Sequence, residues 1–324
     1  MSGANQQSLV TNINWLTSTY KITHKTQQQA PNPNNPNNAA PKPAGNGFKI
    51  YSDDPKPFYF QKNQKWETPI SKINQHFTTA GIFKKPGLKD AELALKNVQA
   101  FGKTSSENKM VVVDKIIEHA PLDDATNLVP ILDFLRIAAL DEKVNEFICE
   151  NLYDLFLGIL RKYFLDNDFN KEQNPKAVRI VTWRLAANLT KFESGTDFLF
   201  SEYEAVLLAA QKALLELHEN SGMVKAVTMT LNNLLFAEYG LECEEEIKFE
   251  LVQGLVANLN NKDENTVIAS LNIICRICKG NEALVKRVNE ELPMLFTKTD
   301  VLRYIQNANA KSFTEDLLKI LKVE

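Results

Sequence analysis

The chain has 324 residues, and 37 Lys+Arg against 40 Asp+Glu leave a net charge of -3, which excludes a generally basic nucleic-acid binder. A hydrophobic share of 44% is enough to bury a sizeable core, so a wholly disordered chain is excluded. With only 12 glycines, about half the usual ~7%, a turn-rich β fold or a glycine-loop nucleotide enzyme is disfavoured.

Met1–Val10 shows neither a basic region nor an apolar stretch of signal-peptide type, and nowhere do ~20 apolar residues follow one another. The cysteines at 149, 243, 275 and 278 lie in apolar or acidic helical patterns rather than in a small secreted framework. A reducing, cytoplasmic or nuclear setting is expected. Residues 1–47 are read as a disordered tail or linker. Between Lys25 and Gly47 there is no Leu, Ile, Val or aromatic residue to offset the entropy of ordering. Leu9, Val10, Ile13, Trp15, Leu16, Tyr20 and Ile22 make 8–23 a candidate docking motif.

Residues 48–87 read as an extended aromatic arm followed by a short helix. Phe58, Tyr59 and Phe60 follow two prolines, Trp66 comes shortly after, and three consecutive aromatics imply packing on the body that follows. Thr68-Pro69 has the form of an N-cap with proline at the first helical position, which predicts a helix to about Thr79.

From Leu88 the pattern is helical. Apolar residues recur at three and four in Met110–Ala120, Leu128–Leu140, Val144–Phe164, Ala177–Leu189, Phe198–Leu217, Met223–Ala237, Ile247–Leu259, Thr266–Cys278 and Phe313–Leu321. The β-branched run Val111–Val113 is a candidate strand, but Ile116 and Ile117 behind it favour a buried helix.

Gly195, Gly240 and Gly280 are each read as closing a long helix. A spacing of about 40–47 residues with two or three helices per unit is that of armadillo or HEAT repeats. Residues 88–324 are therefore expected to form an all-α, right-handed armadillo/HEAT-like solenoid. The register repeats as well: Asn188 precedes Gly195 as Asn233 precedes Gly240, whereas the next unit has Ile273 at that position and Asn272 one residue earlier. The last helix of each unit lines the concave face, where an asparagine can bond an extended backbone in both directions. Arg184 and Lys191 accompany Asn188, and Arg136 interrupts the apolar helix ILDFLRIAAL. Arg136, Arg184, Asn188, Lys191 and Asn233 are thus the candidate peptide-binding residues. The bland alternative is that the asparagines cap local carbonyls.

Catalytic signatures are missing: there is no GxGxxG, GK[ST] loop, GxSxG or HExxH. Cys275-Arg-Ile-Cys278 is a lone CxxC in an apolar helix, so a buried pair is expected rather than a metal or redox site. His119 and His218 fall near helix C-termini, where a cation suits the helix dipole. Asn188-Leu-Thr190 is read as a chance glycosylation sequon, and Glu242, Glu244, Glu245 and Glu246 as the acidic first turn of a helix.

The strip PFYFQKNQKW, then LDFLRIAALDEKVNEFICEN, VTWRLAANLTKFESG, VTMTLNNLLFAEYG and ENTVIASLNIICRICKG, resembles the PUL domain of the phospholipase-A2-activating protein family from Phe58 to the C-terminus. The resemblance implies a non-catalytic, monomeric adaptor that needs no cofactor, metal, nucleic acid or membrane. Its partner would be the acidic, aromatic-ending C-terminal tail of a hexameric AAA ATPase of the valosin-containing-protein type, in ubiquitin-dependent protein turnover. Arg136 falls on a basic groove position of the family, with Arg184 and Asn188 on the neighbouring ridge. A further basic position falls near Ile268, with Arg276 the nearest arginine. The first 57 residues hold neither the family's β-propeller nor its ubiquitin-binding module, so direct ubiquitin contact is not expected. A scaffold for an unrelated partner, such as a cytoskeletal or ciliary assembly, is the alternative reading.

Overall fold

A computed structural model describes residues 57–60, 66–85, 105–166, 175–215, 221–236, 244–259 and 263–292, with single positions at 89, 92 and 95. All lie in the compact unit Gly47–Glu324. The candidate motif at 8–23, Gly240, His218 and the segment Phe313–Leu321 lie outside the described residues. Among those described there are helices and no strands: α1 Glu67–Thr79, α2 Ser106–Glu118, α3 Ala125–Ala138, α4 Glu142–Asn151, α5 Tyr153–Leu160, α6 Pro175–Leu189, α7 Glu193–Ser201, α8 Tyr203–Leu215, α9 Ser221–Phe236, α10 Glu245–Ala257, α11 Glu264–Cys278 and α12 Glu282–Glu291. A 3₁₀ turn at Ile82–Lys84 follows α1, and a π-type turn at Arg161–Leu165 follows α5.

The packing is that of an armadillo-like solenoid. Helices α1, α3, α6, α9 and α11 pack in succession as one row; α5, α8 and α10 form a second, and α2, α4 and α7 a third. Each unit therefore repeats three helices, as in α4–α5–α6 and α7–α8–α9. The core runs continuously between the rows, through Leu132, Phe134, Phe156, Phe164, Trp183, Leu207, Val227, Leu255 and Ile274. Val111–Val113 is helical, inside α2, and His119 is that helix's C-cap.

Short polar side chains start the helices where the pattern turns apolar. Asp124 accepts from the N–H of Thr126 and Asn127, Asp141 from Val144, and Asp263 from Thr266. Each such cap is worth ~1 kcal/mol.

Several boundaries differ from the sequence pattern. Helix α1 opens at Glu67, and the N-cap residue is Trp66, which makes no side-chain capping hydrogen bond. Thr68 and Pro69 lie in the first turn, where a missing N–H costs nothing. Val144–Phe164 is broken at Leu152, and the helix expected from Phe198 is broken at Glu202. Neither break has a glycine or proline. The two breaks lie together: the half-buried Glu202 carboxyl of one neighbours the Tyr153 phenol of the other.

Gly195 does not close a helix. α6 ends at Leu189, and Gly195 sits in the first turn of α7, where an added Cβ would lie 2.0 Å from the Leu189 carbonyl oxygen. Only glycine allows the backbone to pass so close. Gly280 does stand past the end of α11, with φ +75°.

Candidate functional site

The row of α1, α3, α6, α9 and α11, the inner row, carries an extended peptide, and that peptide is the chain's own arm. On α9, Asn233 grips Phe58 in both directions: the Phe58 N–H donates to Oδ1 at 2.9 Å and Nδ2 donates to the Phe58 carbonyl at 2.9 Å. On α6, Asn188 does the same to Phe60, with the Phe60 N–H donating to Oδ1 at 2.7 Å and Nδ2 reaching its carbonyl at 3.4 Å. The Arg136 Nη1, from α3, donates to the same Phe60 carbonyl at 2.6 Å. The spacing of α6 and α9 in the stack thus matches alternate residues of an extended chain.

The amides are aimed by the preceding helix. Asn188 Nδ2 also donates to the Arg136 carbonyl at 2.8 Å, and Asn233 Nδ2 to the Ala187 carbonyl at 3.2 Å. Both are carbonyls at helix C-termini, which lack partners within their own helix. Thr190 adds a second support, accepting from Asn233 Nδ2 at 3.0 Å while its hydroxyl donates to the Ala187 carbonyl. Asn188 and Thr190 of the sequon are therefore both buried, at 0% and 8% exposed, as parts of this spine. Asn145 extends it, with Nδ2 donating to the Ala139 and Leu189 carbonyls.

These contacts revise the expected roles. The amide groups of Asn188 and Asn233 are spent on Phe58, Phe60 and helix ends, so neither stands open to an incoming backbone. Arg136 is 6% exposed, held by Phe60 and by Asp133, whose Oδ1 accepts from Nε at 2.7 Å. Lys191 lies just beyond α6 rather than on it, and Nζ donates to the Leu140 carbonyl at 2.7 Å as a cap on the preceding unit. The inner-row ladder ends at α11. There Ile273 is core, and Asn272 turns inward to donate to Asn232 Oδ1 at 3.0 Å. Ile268 packs against the core, and the Arg276 Nε donates to Asn272 at 3.4 Å, so neither supplies a groove cation of the expected kind.

Arg184 behaves differently from the other candidates. Its guanidinium lies 5.4 Å over the ring of Phe60, makes no ion pair, and its Nε is buried without a hydrogen-bond partner. Burial pushes the guanidinium below its ordinary pKa, the Arg136 charge pushes the same way, and Asp133 opposes them. Two guanidinium groups thus share a half-buried surface with one carboxylate, a local positive excess. Lys225, not singled out from the sequence, adds another cation, 5.4 Å over the Phe58 ring and paired with Asp263 at 3.1 Å. Its signal was present: it lies two turns before Asn233, as Arg184 lies one turn before Asn188. The rings of Phe58 and Phe60 meet edge to face at 5.1 Å, so one face of the arm is a continuous aromatic strip under two cations. Tyr59 faces elsewhere, and burial raises its phenol pKa.

Cys275 and Cys278 are buried thiols that form no disulfide, and burial pushes the Cys278 thiol up to about 12. Among the described residues no group of His, Cys, Asp and Glu could hold a metal ion, and no helix is long and apolar enough to cross a membrane.

No curated protein matches the chain. The family model of the PUL domain matches residues 56–321, which takes in Phe58–Phe60 of the arm, the asparagine ladder and every helix described above. PUL domains are protein-binding helical modules. By its sequence over most of its length, this chain belongs to the PUL domain family.

Proposed function

We propose that the chain is a non-catalytic adaptor whose inner row receives the acidic, aromatic-ending C-terminal tail of a hexameric AAA ATPase of the valosin-containing-protein type, in ubiquitin-dependent protein turnover. The observation that carries this reading is Arg184. A guanidinium with no carboxylate partner, half-buried beside Arg136 and fixed over Phe60, is set up to take a carboxylate from outside. Its fork suits a bidentate grip, and partial burial strengthens the contact. The arm supplies the floor: Phe58 and Phe60 give an aromatic surface next to that charge. The cytoplasm and nucleus are the compartments that fit the role.

The test is titration of the full chain with an acidic peptide bearing a tyrosine next to its C-terminus. Binding near the micromolar range is expected, and Arg184→Ala should weaken it at least ~tenfold, as loss of a charged hydrogen bond of ~1.5–3 kcal/mol implies. Arg184→Lys keeps the charge but loses the fork, and should recover only part of the loss. Arg136→Ala is less clean because it also frees the Phe60 carbonyl. Undetectable binding by the unmutated chain at high micromolar peptide would sink the reading and favour a scaffold for an unrelated partner.

A further inference from the structure

The asparagine ladder uses only one edge of the arm. In an extended chain the N–H and C=O of one residue point to one side, and those of the next residue to the other. Phe58 and Phe60 turn theirs to α9 and α6. Those of Tyr59 therefore point to the opposite edge, and neither makes a hydrogen bond with any described residue. A docked strand with one unpaired edge is a template for another strand. Pro57 on the same edge has no N–H to give, which restricts pairing to a register centred on Tyr59.

We propose that the outer edge of the arm takes the partner's peptide as an added β-strand: one residue of the peptide exchanges two backbone hydrogen bonds with Tyr59, while a neighbouring carboxylate reaches Arg184. The occupant is an extended acidic segment. Extension is required by the Tyr59 edge, and acidity by the uncompensated guanidinium beside Phe60. Main-chain bonds supply affinity that is indifferent to sequence, and Arg184 selects for charge. The arm is then neither a plug nor a passive floor; it is the middle layer between the asparagine ladder and the ligand.

This inference rests on the acidic-peptide reading above, and the experiment separates the two. The full chain is titrated with the acidic peptide and with a series in which each backbone nitrogen is methylated in turn. One position should lose at least ~tenfold in affinity, the worth of a main-chain hydrogen bond whose partner stays desolvated, while its two neighbours change by less than about threefold. Tyr59→Pro, which deletes the outward N–H and keeps the residue extended, should weaken the parent peptide about fivefold or more. Tyr59→Ala, which keeps the N–H, is the control for loss of the ring. Hydrogen exchange at Phe58 and Phe60 shows that the arm stays docked in both variants. A peptide that binds and depends on Arg184, but tolerates methylation evenly and ignores Tyr59→Pro, would overturn strand addition and leave the adaptor reading intact. No binding of any peptide would overturn both.

Discussion

The unit that ends in α6 and the unit that ends in α11 carry nearly the same marks, an asparagine in the last helix and a glycine shortly after it, and use them differently. In the first, Asn188 turns to the arm and holds Phe60, and Gly195 is needed because the chain passes against the Leu189 carbonyl. In the second, Asn272 is shifted by one residue and bonds Asn232 inside the stack, and Gly280 is needed for its positive φ, with nothing within 4 Å of an added Cβ. One residue of offset moves a side chain about 100° around a helix. The lesson is that a repeated residue type marks the repeat, whereas its exact register decides whether it serves the ligand face or the interior.

The largest break of this comparison is expected at the glycines. Gly195→Ala puts a methyl into a backbone carbonyl that cannot swing aside, and should cost roughly 3 kcal/mol or more in a urea titration. Gly280→Ala has free space and only the left-handed backbone to tolerate, so about 1 kcal/mol is expected. Equal losses would show that Gly195 is an ordinary helix-end glycine after all.

The asparagines come next. Asn188→Ala leaves the Arg136 carbonyl and the Phe60 N–H without partners, and should cost about 2–3 kcal/mol while abolishing hydrogen-exchange protection at Phe60. Asn272→Ala should cost about 1 kcal/mol and leave that protection unchanged. Loss of Phe60 protection in Asn272→Ala would mean that the two units are coupled through the arm rather than distinct.

The smallest effect concerns Glu202, at the break between α7 and α8. Burial raises its pKa, and the neighbouring Tyr153 phenol only partly offsets that. A carboxyl whose folded pKa is raised favours folding while protonated, and this contribution fades as pH climbs from its unfolded value of ~4.3. Glu202→Gln should therefore melt on the order of 1–2 °C above the parent at pH 7, with the gap closing towards pH 4. A variant that melts lower at every pH would assign the carboxylate a stabilising role with Tyr153.

Much of the fold was legible because the period of the apolar residues comes from packing itself. The pattern of Met223–Ala237 or Thr266–Cys278 is a record of which faces are buried, and α9 and α11 follow it within two residues. The breaks at Leu152 and Glu202 were not legible. No breaker residue stands there; the helices part because α5 and α8 must turn into the second row, which is a demand of the stack and not of the local sequence. The site was half legible. Asn188, Asn233 and the aromatic arm each stood out, but as two separate features. That one is the ligand of the other depends on contacts between residues 128 and 175 positions apart, a range at which periodicity is silent. Lys191 misled for a related reason: one turn beyond the last asparagine it continues the helical face on paper, whereas α6 has already ended.

Those long separations have a consequence for how the molecule assembles. A stacked array can grow from any point, because each helix needs only its neighbours. The arm obeys another rule. Its bonds close loops that run through α3, α6 and α9 together, so they offer no return until all three are in place. Docking of Phe58 and Phe60 is then a late step. Once made, it ties three units into one cooperative block, so that in denaturant the chain should open first from helices that Phe58 and Phe60 do not bond.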